Sequence, residues 1–165
     1  MKLSRKFLSD YVDVPSSVTT KELAEEMTHI GNEYDSCEKL IPATNLVIGQ
    51  IVECENHPTS DHLHILKVDL GPKHGVTQIV CGAPNIAAGQ KVIVALPGAV
   101  LPGGTIKNSK VRGVESNGMI CSLQELGIEN KYVPQEYQNG IYVLEQDATI
   151  GMDALEYLCF DDYLI

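Results

Sequence analysis

The 165-residue chain is long enough for one ordinary domain, or for a compact domain with a small companion, and 44% of its residues are hydrophobic. No apolar run approaches the roughly 18 residues that cross a bilayer, and Phe7 and Leu8 are followed at once by Ser9 and Asp10, so neither a membrane span nor an export signal is predicted. We therefore expect a cytoplasmic protein without a membrane partner.

Charge is distributed unevenly along the chain. The formal net charge of -10 repels a polyanion at long range. Residues 56–114, however, carry six Lys/Arg against two Asp/Glu, a local net charge of +4, whereas residues 1–55 carry five against ten and residues 115–165 carry one against ten. Because a phosphate feels charges within about 8 Å at physiological salt, the central segment favours a nucleic-acid partner. An ordinary solvated surface is the alternative interpretation of the same charges.

The first 40 residues are predicted to be helical. Apolar residues at helical spacing indicate a short helix over residues 4–11, which ends before Pro15. A second helix begins with a capping box formed by Thr19 and Glu22 and ends at Gly31. These two helices predict a small helical element at the start of the chain.

From Leu46 onward, short apolar runs separated by Gly, Pro and Asn predict strands. The predicted strands are residues 46–55, 65–70, 78–81, 91–96, 106–111, 119–121 and 141–144. Two short helices are predicted at residues 122–126, opened by a capping box of Ser122 and Glu125, and at residues 153–158. Five or more short strands within about 100 residues predict a small β-barrel.

The cysteines and histidines show no metal-site spacing. The five cysteines are widely spaced among apolar residues, which indicates reduced core residues. A zinc site needs ligands two to four residues apart, and the nearest approach to this is His57, His62 and His64 beside a loop. We interpret these histidines as surface or turn residues and predict no metal site.

Residues 57–63 form a loop between two predicted strands. Turn chemistry accounts for Pro58, Thr59, Ser60 and Asp61, because these residue types favour turns by ring geometry or by bonding to the local backbone. We therefore interpret this segment as structural.

Residues 110–122 are the segment richest in side chains that can bind a ligand. Lys110 and Arg112 are two residues apart, so both project from one face of an extended chain. Arginine holds a phosphate with two hydrogen bonds and lysine attracts it as a point charge. Hydroxyl and amide groups add neutral hydrogen bonds, and Met119 has two interpretations, as a contact for a base or as a core residue. The candidate RNA-binding residues are Asn85, Lys107, Lys110, Arg112, Ser116, Met119 and Ser122.

Catalytic motifs are missing from the sequence. It contains no Gly-Lys-Ser/Thr phosphate loop and no nucleophile elbow, and Gly98, Gly103 and Gly104 do not match a dinucleotide fingerprint. We predict no catalytic residues, and no enzyme activity for this chain by itself.

Taken together, these segments resemble the beta subunit of bacterial phenylalanyl-tRNA synthetase along the whole chain. Residues 1–13 and the helix end at residues 27–31 are similar to the start of that family. Four segments of this chain are similar, in the same order, to the OB-type tRNA-binding domain of that family. They are residues 57–63, 80–85, 95–104 and 112–122. Where the family usually reads His-Pro-Asn-Ala-Asp-Lys-Leu, this chain has Thr59, Ser60 and His62.

The resemblance implies an α+β fold, in which a mainly β OB-fold barrel of residues 41–151 is inserted into a small helical N-terminal domain of residues 1–40 plus 152–165. It also implies that the chain is an N-terminal part of a longer subunit and that tRNA is its partner. No cofactor is expected in this part. ATP and magnesium belong to the full alpha/beta assembly, where the missing part of the beta subunit contacts the alpha subunit and phenylalanine is ligated to tRNA. The net acidity leaves one alternative, a structural or interaction module within the synthetase with little direct tRNA contact.

Overall fold

The computed structural model describes residues 1–165 and divides the chain into two compact units. Residues Met1–Ile41 and Cys159–Ile165 form the first, here called the helical unit, and Pro42–Leu158 form the second, the barrel unit. The helices are α1 (Arg5–Ser9), α2 (Thr20–His29) and α3 (Ala154–Tyr157). The strands are β1 (Glu38–Lys39), β2 (Leu46–Asn56), β3 (His64–Asp69), β4 (Val76–Cys81), β5 (Lys91–Ala95), β6 (Val100–Leu101), β7 (Gly104–Thr105), β8 (Ser109–Val111), β9 (Val114–Ser116), β10 (Met119–Ile120), β11 (Val143–Leu144) and β12 (Tyr163–Leu164).

The helical unit brings together two distant parts of the sequence. Strand β1 pairs antiparallel with β12, with Glu38 opposite Leu164. The predicted capping box opens α2, where the Thr19 amide donates to the Glu22 carboxylate at 2.7 Å and the Glu22 amide donates to the Thr19 hydroxyl at 3.2 Å. Gly31 follows α2 with φ of +102°, a left-handed conformation that glycine adopts without strain.

Asp162 is the buried charge of the helical unit. Its carboxylate accepts hydrogen bonds from the Ser4 hydroxyl and from the backbone amides of Lys6 and Tyr163. Burial acts to raise the pKa of this carboxyl, but the three hydrogen bonds outweigh burial and hold the pKa below its ordinary value. The same bonds fasten the start of α1 to the end of the chain.

The barrel unit is built on one curved sheet with the strand order β10-β5-β2-β3-β4, and β11 pairs with β5 beside β10. Strand β2 is long enough to pair with β5 through its first half and with β3 through its second half. A register shift between Ile51 and Glu53 marks a bulge where β2 bends. The predicted fold class, a mainly β OB-type barrel with few helices, is confirmed.

Hydrogen bonds between β4 and the end of β9 bring the sheet back on itself. The Val80 amide donates to the Ser116 hydroxyl at 3.0 Å, and the Asn117 amide donates to the Gln78 carbonyl at 2.8 Å. The side-chain amide of Gln78 also donates to the Glu115 carbonyl at 2.9 Å. The far edge of the sheet is therefore joined to the segment that leads into β10.

Apolar side chains from alternating strand positions fill the barrel. The core residues are Val47, Ile51, Leu66, Val68, Leu70, Ile79, Val92, Val94, Ile120 and Ile141. The first four residues of β2 are all buried, because α3 and the turn before it cover the outer face of this strand. The Ile48 amide donates to the Met152 carbonyl at 2.9 Å, and the Gly151 amide donates to the Ile48 carbonyl at 2.7 Å.

These contacts bear on the predicted domain boundaries. The predicted helical domain includes residues 152–158, whereas in the structure these residues belong to the barrel unit. The pattern of a short helix does not say which surface the helix covers, and here α3 is tied to β2 through the backbone of Met152 and Gly151.

The chain between β5 and β10 differs most from the predicted elements. Sequence analysis predicts one strand at residues 106–111, whereas the structure forms two hairpins, β6–β7 and β8–β9. Strands of two or three residues are too short to show an alternating pattern. The predicted helix at residues 122–126 is a 3-10 helix over Gln124–Leu126, and the Ser122 and Glu125 side chains make the reciprocal bonds of a capping box.

Replacement of Gly49 by alanine tests how closely the barrel is packed. A Cβ atom at Gly49 would lie 2.8 Å from a methyl carbon of Val68 and 2.9 Å from one of Val94. We predict that Gly49→Ala lowers the free energy of unfolding by about 1–3 kcal/mol, measured by urea denaturation followed by circular dichroism. Gly103→Ala is the matched control, because nothing lies within 4 Å of its added Cβ. Equal stability of the two variants would contradict the packing described here.

Candidate nucleic-acid interface

The β8–β9 hairpin carries two of the predicted cations. Its turn consists of Arg112 and Gly113, whose φ angles are +48° and +84°. Two consecutive positive φ angles are the requirement of a type I′ turn, the connection that fits the twist of a two-stranded hairpin. Lys110 lies on β8 opposite Glu115, and Lys107 lies two residues before the first residue of β8. We call Lys107, Lys110 and Arg112 the cationic hairpin.

The tip of the hairpin is held against the β2–β3 loop, residues 57–63. The His57 ring nitrogen Nε2 lies 3.2 Å from the Val111 carbonyl oxygen. The Arg112 guanidinium donates to the Thr59 carbonyl at 3.1 Å. We call His57, Thr59, Val111 and Arg112 the loop–hairpin junction.

The basic side chains of the central segment have no acidic partner. None of the six Lys/Arg of residues 56–114 forms a salt bridge, whereas Lys2, Lys6, Lys21 and Lys131 each pair with a carboxylate. The pKa of Asp61 lies below its ordinary value, chiefly because His62 donates a hydrogen bond to it and to a smaller extent because Arg112 is near. The exposed cations of the hairpin are therefore not neutralised by a salt bridge.

The six central cations do not all lie together. Lys73 occupies the β3–β4 turn and Lys91 starts β5, and the strand register places both near the Asp69 end of β3. The loop–hairpin junction lies at the opposite, His64 end of β3, because the β2–β3 loop leads directly into that end. Lys91 is also engaged within the fold, where it donates to the carbonyls of Gln146 and Ala148.

Asn85 and Ser116, two of the predicted contacts, are engaged by the fold. The Asn85 amide donates to the Ile141 carbonyl at 2.9 Å and accepts from the Ile141 amide at 3.0 Å. Ser116 is only 3% exposed, and its hydroxyl accepts the Val80 amide that closes the barrel. Because it is buried, the Ser116 side chain cannot contact a ligand at the surface. The prediction for Ser116 is corrected: its hydroxyl helps to close the barrel.

Met119 and Ser122 line a cleft of about 630 Å³ between the end of β4, β10 and the loop before β11. Its walls also carry the neutral amides of Gln124 and Gln138. Met119 also lines a second cleft of about 360 Å³ beside the β6–β7 hairpin. The Glu125 carboxylate lines both clefts as well and repels phosphate, so an uncharged, polar-edged group such as a nucleobase suits them better than a phosphate does.

His57 is the residue of this region that sequence reasoning did not select. It lies immediately after β2 and before a proline, and the turn-forming residues that follow it were enough to explain this segment as a loop. Its sequence allowed a surface or a turn residue, and at 3% exposed it is a buried residue of the turn. The neighbouring residues give no sign of this burial, because the partner of the ring, Val111, lies 54 residues further along the chain.

Comparison with known proteins bears directly on this region. The family described as "Putative tRNA binding domain" matches residues 46–153, which include β2 to β11 and both hairpins. The chain belongs to this tRNA-binding domain family. The match covers the tRNA-binding domain from the first strand of the barrel to the turn before α3, and it confirms the family expected from the four central segments.

The chain is also similar over its whole length to phenylalanine–tRNA ligase beta subunits. It is 53% identical to that of Geobacillus kaustophilus and 50% identical to that of Bacillus subtilis, with 100% of this chain covered in both cases. The beta subunit of Halalkalibacterium halodurans is 51% identical over 96% of this chain. The chain spans 20% of the length of each of these relatives.

One further structural finding concerns membranes. No helix in the structure combines the length and the apolar character that a bilayer crossing requires.

Replacement of Asn85 separates a role in folding from a role in binding. We predict that Asn85→Ala lowers the free energy of unfolding by about 1–3 kcal/mol, because the buried backbone groups of Ile141 lose both partners. Asn139→Ala is the control, since Asn139 is exposed nearby and makes no side-chain hydrogen bond. Urea denaturation measures both. Unchanged stability of Asn85→Ala together with weakened tRNA binding would contradict the folding role.

Proposed function

We propose that this tRNA-binding domain binds tRNA through the cationic hairpin, with the cleft beside Met119 and Ser122 receiving an exposed base. The observation that carries the proposal is the contrast in ion pairing, because the exposed cations of the hairpin form no salt bridge although the chain has an excess of carboxylates. A polyanion supplies the partner that these side chains lack.

Each part of the site has a distinct role in this proposal. Lys107 and Lys110 attract phosphates as point charges, and Arg112 offers the donors not used by Thr59 for a bidentate contact. Phosphate contacts fix the position of the RNA without reading its sequence. Met119 offers its flexible thioether to a base, and the Ser122 hydroxyl bonds to its edge or to a sugar. Binding is weak, since the rest of the chain is acidic.

We infer that the domain serves a longer beta subunit in an alpha/beta phenylalanine–tRNA ligase. The support is 46–53% identity to several such subunits over nearly the whole chain. In this proposal the assembly acts in the cytoplasm and uses ATP and magnesium to ligate phenylalanine to tRNA. The domain itself holds part of the tRNA and needs no cofactor, and the alpha subunit is contacted by other parts of the beta subunit.

Salt dependence tests the interface directly. With three cations engaged, the logarithm of tRNA affinity falls with the logarithm of salt concentration at a slope of roughly -2 to -3. We expect Lys110→Ala and Arg112→Ala each to weaken binding and to reduce the magnitude of this slope by about one. Fluorescence anisotropy with labelled tRNA at several salt concentrations measures both quantities.

Lys73→Ala is the control for this experiment. It removes the same charge from the other end of β3, and Lys73 is exposed and unpaired like Lys110. We expect its slope to stay that of the unmodified chain. An affinity that is insensitive to salt, or that falls as much in Lys73→Ala as in Lys110→Ala, would refute the proposed interface.

A further inference from the structure

His57 is buried between two loops, and its hydrogen bonds define the tautomer of its neutral ring. Its Nδ1 atom lies 3.1 Å from the Thr59 backbone nitrogen, which can only donate, so Nδ1 is an acceptor. The proton of the neutral ring is therefore on Nε2, which faces the Val111 carbonyl oxygen, an atom that can only accept. One ring thus joins the β2–β3 loop to the tip of the hairpin.

Few other contacts hold this tip in place. Besides the pairing of β8 with β9, residues 107–114 make two hydrogen bonds with the rest of the chain, from His57 to Val111 and from Arg112 to Thr59. The second of these bonds uses the guanidinium that the proposed function assigns to phosphate. The bond from His57 is therefore the one that holds the hairpin while leaving all of its cations available.

We propose that His57 is a positioning residue for RNA binding, which acts by holding the β8–β9 hairpin through Nε2 and does not touch the RNA. This inference rests on the proposed function of the cationic hairpin and adds the residue that orders it. A hairpin held before RNA arrives loses less conformational freedom on binding, so its cations engage at lower cost in free energy. Without the His57 bond, the tip moves and Lys110 and Arg112 no longer face the RNA together.

Two substitutions separate the contacts of one ring nitrogen from those of the other. An asparagine side chain reaches about as far as Nδ1, so His57→Asn keeps an acceptor for the Thr59 amide and loses the bond to Val111. A glutamine side chain reaches about as far as Nε2, so His57→Gln keeps a donor for Val111 and loses the bond within the loop. Thermal unfolding followed by circular dichroism is used to choose a temperature at which both variants are folded.

The measurement is tRNA affinity of the whole 165-residue chain at several salt concentrations. We expect His57→Asn to weaken binding by roughly three- to tenfold, the effect of one lost hydrogen bond, and to reduce the magnitude of the salt slope by about one. His57→Gln is expected to restore most of the affinity and the full slope. Faster amide hydrogen exchange in residues 109–116 of His57→Asn alone would show the released hairpin.

The outcomes distinguish this inference from the function on which it rests. If the unmodified chain binds tRNA with the predicted salt slope but His57→Asn binds equally well, the inference is wrong and the function stands. If folded His57→Gln loses as much affinity as His57→Asn, His57 serves only its own loop and the inference is also wrong. If the unmodified chain shows no salt-dependent binding, the proposed function itself fails.

Discussion

Closure of the barrel between β4 and the end of β9 is the constraint from which the rest of the site follows. The amides of Val80 and Asn117 and the side chain of Gln78 join these segments through three hydrogen bonds. These bonds satisfy the Val80 amide and the Gln78 carbonyl of the edge strand β4 within the chain. Closure also fixes the base of the β8–β9 hairpin, and the hairpin then extends toward the β2–β3 loop where His57 and Thr59 meet its tip.

The distribution of ion pairs sets the hairpin apart from the rest of an acidic chain. In the helical unit, lysines such as Lys2 and Lys6 are paired with carboxylates that lie close to them in space. The exposed hairpin has Glu115 opposite Lys110 in the strand register, yet the two charges form no salt bridge. Because exposed charges are screened beyond about 8 Å at physiological salt, this local imbalance dominates the electrostatic potential next to the hairpin.

Side chains of similar chemistry serve different purposes in this barrel unit. Asn85 and Ser116 look like ligand-binding residues, yet one bonds to both backbone groups of Ile141 and the other accepts the Val80 amide. Conversely, His57 looks like a turn residue and connects the β2–β3 loop to the β8–β9 hairpin. A donor or acceptor in a sequence shows what a residue can bond to, and burial shows which bond it makes, since a buried polar group must find a partner within the protein.

The sequence by itself determined the local features and the family. The capping box at Thr19 and the long strand from Leu46 depend on neighbouring residues, so their patterns are visible along the chain. The turn at Arg112-Gly113 was not predicted: Lys110 and Arg112 were expected on one face of an extended chain, and this was wrong because Arg112 lies in the turn. Only the tertiary structure decided that α3 covers β2, that Lys73 lies away from Lys110, and that Ser116 is buried. Each of these depends on contacts between residues far apart in sequence, and such contacts arise only when the sheet closes and sets which strands are neighbours.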